Sequence, residues 1–152
     1  MRPTRVPAVI DRLASTLADH PDLSVALVLD GPLLSGDYRP VTIIVGWATE
    51  DRPSATTSRQ APQGIRPRDS ESWSIQMLVS SHDGSTNNQA PRRARDKAAA
   101  AFAVVEAVVT GDVTLGDVCG QITIGDQEWW QAPTVDGIEV SVIFQLNGKA
   151  LL

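Results

Sequence analysis

The chain has 152 residues, a formal net charge of −5 and a single cysteine, Cys119. That length suits one ordinary domain, able to bury roughly 70% of its unfolded surface without staples, and one cysteine excludes an intrachain disulfide framework. The acidic balance, with a pI near 4.9, argues against nucleic acid as a tightly held ligand, because neutralising phosphates takes a basic surface. The opening MRPTRVPAVIDRL lacks an uninterrupted apolar core, and no apolar run approaches the roughly 20 residues that span a bilayer, so neither a signal peptide nor a membrane partner is expected and the chain reads as cytosolic.

The first predicted element is a helix over VPAVIDRLASTLADHP. Pro7 suits a first turn, Ile10, Leu13, Ala14 and Leu17 recur at helical spacing, and His20-Pro21 ends it. A short strand follows in SVALVLDGP, closed by the turn residues Asp30-Gly31-Pro32. VTIIVGW, residues 41–47, is the most β-prone run of the chain and predicts a central strand. From Ala48 to Pro67 the chain turns to Ser, Thr, Pro, Arg and Gln without apolar periodicity. About 20 such residues predict one long flexible loop at 48–67, either a plain surface excursion or a segment ordered only against a partner.

In SESWSIQMLVSS the residues Trp73, Ile75, Met77 and Val79 alternate with Ser72, Ser74, Gln76 and Leu78, which predicts a strand with one buried and one largely polar face. His82-Asp83-Gly84-Ser85 closes it, and local hydrogen bonding by Asp and Ser accounts for that cluster without catalysis.

PRRARDKAAAAFAVVEAVVT, residues 91–110, predicts a helix roughly 30 Å long. Ala94, Ala98, Ala101, Phe102, Val105, Val108 and Val109 form the face that lies on a sheet. The opposite face carries Ala100, Ala103, Val104 and Ala107, so the second half is apolar nearly all round. Cover on both sides is then expected, the outer cover coming from another subunit; alternatively, the alanines are there simply as good helix formers. Arg92, Arg93, Arg95 and Lys97 crowd the first turns against the helix dipole, as a solvated patch or as a docking surface for acidic groups of a neighbour. Gly111 is placed to cap the helix in the left-handed region. VCGQITIGDQEWWQ and GIEVSVIFQLNGKALL predict two more strands, joined through APTVDG as a hairpin loop. Adjacent strand residues point to opposite faces, so one of Trp129 and Trp130 enters the core while the other is an interface candidate, or both cap the sheet edge at a bend. The expected fold is a single α+β domain over 1–152, a mainly antiparallel sheet packed by two helices, in the order α-β-β-β-α-β-β.

Catalytic signatures are lacking in the sequence. There is no GxxxxGK[ST], no GxGxxG and no G-x-S-x-G; His20 and His82 are far apart with no metal-ligand spacing. Asp30, Asp83, Asp112, Asp117, Asp126 and Asp136 each sit beside Gly, which is turn chemistry. No enzyme activity, cofactor or metal is expected, and Cys119 reads as a small buried apolar residue.

The order of elements and several phrases, namely PAVIDRLASTLADHPDL, VALVLDGP, VTIIVGW, RDSESWSIQMLV, RRARDKAAAAFAVVEAVV running into GDVTLGDVCG, and IEVSVIFQLNGKALL, resemble the tail terminator proteins of long-tailed bacteriophages, in the versions carried by phages and prophages of actinobacteria. The likeness covers nearly the whole chain and is one of order and texture, with no invariant motif to carry across residue by residue. It implies a virion protein of the tail or neck, made in the host cytoplasm. Such a protein assembles as a hexameric ring on the head-proximal end of the tail tube, ends tube polymerisation and presents the surface for head joining. Its implied partners are further copies of itself, the tail tube protein and a head–tail connector or neck protein. DNA passes through the lumen without being bound, which an acidic chain suits, and Arg92, Arg93, Arg95 and Lys97 are then expected to point away from the channel. Contacts of the ring are expected at Arg92, Arg93, Arg95, Ala100, Val104, Ala107, Trp129 and Trp130. The alternatives are another neck, head-closure or tail tube protein, a small hydrolase, or a nucleic-acid-binding module resting on the Arg92–Lys97 segment.

Overall fold

A computed structural model describes residues 3–31, 40–60, 70–135 and 137–151 of the protein. It is α+β: helix α1 (Val6–Ala18), a 3₁₀ turn (Pro21–Leu23), strands β1 (Leu27–Asp30), β2 (Val41–Val45), β3 (Ala55–Gln60) and β4 (Ser70–Asp83), helix α2 (Ala90–Gly111), and strands β5 (Gln121–Thr134) and β6 (Gly137–Leu151). Six strands form one mixed sheet in the order β1-β2-β4-β6-β5, with β3 also paired to β4. Among the described strands only β1–β2 is parallel. The order holds one strand more than the sequence leads one to expect.

That strand is β3, which lies in the segment expected to be an unstructured loop. β2 runs antiparallel along one edge of β4 as far as Val45↔Met77. The chain leaves this edge at Gly46, whose positive φ of 75° suits glycine. It returns at Ser54, and β3 continues along the same edge from Ala55↔Ile75 to Gln60↔Ser70. Gln76 sits opposite the gap: its carbonyl accepts from the amides of Gly46 and Trp47, and its own amide donates to the Ser54 carbonyl at 2.9 Å. The backbone of β4 is therefore satisfied across the excursion. Residues 61–67 of the expected loop, and the turn positions Pro32 and Asp136, lie outside the described residues.

Helical spacing places Val6, Val9, Leu13 and Leu17 of α1 in the core, with Ile10 and Ala14 partly buried against it. The helix has no side-chain cap from its own N-cap residue, Arg5. Glu71 of β4, fully buried, serves in that place: its Oε1 accepts from the Thr4 hydroxyl at 2.8 Å and from the Arg5 amide at 3.1 Å. Its Oε2 lies 3.7 Å from Arg59 Nε on β3. A carboxylate at the positive end of a helix dipole is favourable, and here it ties α1, β3 and β4 together. At the other end His20 Nδ1 accepts from the Asp22 amide, capping the 3₁₀ turn.

β4 keeps the alternation read from sequence: Trp73, Ile75, Met77 and Val79 are buried on the face covered by the helices. Ala94, Ala98, Ala101, Phe102, Val105 and Val109 of α2 pack onto the same face, each large apolar side chain contributing about 1.5–3 kcal/mol by burial. Phe102 stands edge-on to Phe144 of β6 at 4.9 Å between centroids. The Ser81 hydroxyl donates to the Ala94 carbonyl and fixes α2 to β4. Trp73 pairs with Gly148 across β4–β6, and its indole occupies the space that a side chain at 148 would need.

Gly111 is not the left-handed cap that the sequence suggests, since α2 runs through it and Asp112 is the C-cap residue. The left-handed residues come later, at Leu115, Gly116 and Asp117, with φ of 48°, 66° and 67°. Asp112 builds this turn: one carboxylate oxygen accepts from the Thr114 amide and hydroxyl, the other from the Gly116 amide at 2.8 Å. These hydrogen bonds lower the Asp112 pKa. Leu115 is driven into the core by the turn. Cys119 is buried as expected, and burial pushes its thiol pKa up, away from the nucleophilic form.

Candidate functional site

α1 and α2 lie on the same side of the sheet, and a groove opens between α2 and the 3₁₀ turn with the segment that follows it. Ala100 and Val104 of α2 face Leu23, Val25 and Val41 across a cavity of about 360 Å³, with Asp22 and Lys97 also on its walls. Ala107 lines a second cavity of about 320 Å³ on the way to Gly116, shared with Arg12 and Thr16 of α1. Of the residues singled out as the outer stripe of the long helix, Ala100 and Val104 thus share one groove wall, whereas Ala107 lines a separate cavity against α1. Their cover differs from the expectation in one respect. Val104 is half-buried against the core of its own chain, because the 3₁₀ turn reaches α2, so a neighbouring subunit is not needed to explain it. Ala100 and Ala107 are exposed. Val25, read as strand, precedes β1 instead and is 73% exposed on the groove's rim.

The basic residues at the start of α2 do not act as one cluster. Arg93 is bound within the chain: its Nε donates to Asp83 Oδ2 at 2.9 Å and a terminal nitrogen to Oδ1 at 3.3 Å. Arg92 lies 4.0 Å from Asp96 one turn on, an exposed pair of little worth. Arg95 and Lys97 are exposed. Asp83 also accepts from the Ser85 amide, and the Arg93 hydrogen bond together with this amide lowers its pKa from 3.8 to about 2. A depressed carboxylate stabilises the fold fully above its unfolded pKa, and this stabilisation is lost as pH falls through the folded value. The melting temperatures of the wild type and Asp83→Asn are therefore expected to differ near neutrality and to converge as pH falls from about 4 to about 2, as scanning calorimetry at stepped pH would show.

At the opposite end of the sheet from β1, strand β5 is an edge. A register shift between Ile124 and Gln127 separates a partly buried first half from a second half exposed at every position from Asp126 to Pro133. The strand runs further than sequence indicates: Pro133 pairs with Ile138 and Thr134 with Gly137, so most of the expected APTVDG loop is ladder. An edge strand tolerates a proline because one side of it has no ladder partner. Trp129 and Trp130 point to opposite faces, as the strand period requires. Trp129 stands over Phe102 at 6.5 Å, edge-on, yet is 44% exposed, and Trp130 on the other face is 60% exposed. Neither indole is buried in the core. Val135 beyond them is fully exposed.

The second face of the sheet has neither helix on it and is polar. Its floor includes Thr56, Ser74, Gln76, Gln145 and Asn147, in a cleft of about 520 Å³ with Arg52 and Glu128 joined at 3.1 Å beside it. Gln76 is buried and its Nε2 has no hydrogen-bond partner among the described residues. His82 Nε2 lies 3.3 Å from the Thr134 hydroxyl, while His20 caps the 3₁₀ turn, so the two histidines do different structural jobs. Among the described residues no three His, Cys, Asp or Glu side chains gather as a metal site. Among the described residues no helix is long and apolar enough to cross a membrane.

No protein family matches the chain, and no curated protein is similar to it. The surfaces themselves carry the functional argument. They are a groove walled by small residues on the helix side, a basic helix start beside it, and an aromatic edge strand at the far end of the sheet.

Proposed function

We propose that the protein is a structural subunit that assembles with copies of itself into a ring, and that this ring is the tail terminator of a long-tailed bacteriophage. The observation that carries this reading is the edge strand β5, which holds Trp129 and Trp130 in water at 44% and 60% exposure. Exposed indoles on an open strand edge are costly in isolation and are the residue type most enriched where proteins bind one another. The α+β frame with two helices and the resemblance of the sequence to tail terminators in element order and texture support the particular role. In this reading the ring stops growth of the tail tube and offers a surface to the neck, in the virion and not on a membrane.

The net charge of −5 is compatible with DNA passing through such a ring without being held. Arg92, Arg95 and Lys97 belong to α2, on the helix-covered side, whereas the bare face carries Glu128, Glu139 and Gln145 beside Arg52 and Lys149. The alternative of a tube subunit is separated by one experiment. Purified protein added to growing tail tubes is expected to cap them at fixed length in negative-stain images, with annular particles of the protein visible alone or on tube ends. Long tubes made of the protein itself would favour a tube subunit. Salt-sensitive retention of DNA at physiological ionic strength would favour a nucleic-acid module, and loss of the biological role on replacing both His20 and His82 by alanine would favour an enzyme.

A further inference from the structure

The geometry points to a head-to-tail contact in which the exposed end of the β5–β6 hairpin of one copy seats in the groove between the 3₁₀ turn and α2 of the next. It rests on the reading of the chain as a ring subunit and specifies which two surfaces meet.

Three observations fit these surfaces to each other. The first is placement: the groove lies at the β1–β2 end of the molecule, where Val25 just before β1 and Val41 of β2 form its wall, and the hairpin edge lies at the far end of the same sheet. A contact between opposite edges is heterologous, the kind that propagates around a ring, whereas a patch meeting its own copy would stop at a dimer. The second is shape. Ala100 leaves the groove wall low and Val25 leaves its rim apolar and 73% exposed, while Trp130 and Val135 project from the hairpin at 60% and 106%. A cavity of about 360 Å³ has room for an indole. The third is charge. Residues 126–139 contain Asp126, Glu128, Asp136 and Glu139 and no Lys or Arg; Glu128 is paired with Arg52 of its own chain, while Lys97 stands on the groove wall. Opposed charges of this kind set register and exclude self-pairing of either surface.

The test is cross-linking between single-cysteine variants made in a Cys119→Ser background, which removes the one native thiol. Val25→Cys marks the groove rim. Ala132→Cys marks the hairpin two residues beyond Trp130 on the same face, and both positions are exposed, so folding is expected to survive. With a short bismaleimide, a mixture of the two variants is expected to give a dimer containing one of each, while either variant alone gives none. Trp130→Ala is expected to weaken association by at least about tenfold in analytical ultracentrifugation. Assembly that persists in the wild type without the mixed cross-link overturns this contact and leaves the ring. Cross-linking of either variant with itself replaces the contact by a two-fold one. A wild-type chain that stays monomeric and yields no mixed cross-link overturns both the contact and the ring.

Discussion

Gly148→Ala is expected to destabilise the protein by about 1–3 kcal/mol, the usual range for forcing a methyl group into a filled interior. A Cβ at this position would lie 2.5 Å from both Cε2 and Cη2 of Trp73, and closer still to Cζ2. The indole cannot swing clear, because Trp73 is buried in the core that α1, α2 and the sheet share. Nor can the backbone retreat, since Trp73↔Gly148 is one rung of the long β4–β6 ladder. Urea denaturation at constant m-value would report the loss. Most of the cost is expected to vanish in a Trp73→Phe background, which lacks the outer ring atoms involved. That coupling, obtained from the double-mutant cycle, is the sharper readout.

Glu71→Ala is expected to cost about 2–3 kcal/mol, because hydrogen bonds to a charged group are each worth more than neutral ones and a buried cavity is left behind. The loss is smaller than for a fully buried ion pair broken from one side, since the remaining partner, Arg59, is one-third exposed and can be solvated. Glu71→Gln keeps an acceptor for the Thr4 hydroxyl and the Arg5 amide and is expected to lose less than half as much. Hydrogen exchange separates a local from a global effect: in Glu71→Ala the first-turn amides of α1 are expected to lose protection before those of β4. Equal loss in both would show that Glu71 acts through the sheet and not through the helix start.

Sequence periodicity served well wherever one face of an element is buried. The alternation of Trp73, Ile75, Met77 and Val79 and the helical recurrence of Ala94, Ala98, Ala101 and Phe102 are direct consequences of the sheet and helix repeats, and both are present in the structure. β3 failed that test for a physical reason. Thr56, Thr57, Ser58 and Arg59 are all exposed, so no buried face imprints a pattern, and the strand exists because β4 offers an open ladder. Its Thr-Thr pair was the available signal. Glu71 was legible in principle, since it shares the parity of Trp73 and Ile75 and so had to point inward, where a carboxylate needs partners. Gly111 misled because a glycine after a helix is a common cap, whereas here Asp112 shapes the turn with its own side chain. Of the surface residues, the opposed orientations of Trp129 and Trp130 followed from the strand period, and the shared groove wall of Ala100 and Val104 from the helix period. The pairing of Arg93 with Asp83 joins residues of two different elements, and no local repeat encodes it.

The gap between β2 and β3 has a practical corollary. Because both amides on one side and the carbonyl on the other find their partners at Gln76, the exposed residues 48–51 between them hang from a closed ladder like a pendant. An epitope peptide or a fluorescent label spliced there lengthens only the pendant, at a small entropic cost. It would give electron microscopists a fiducial on every copy.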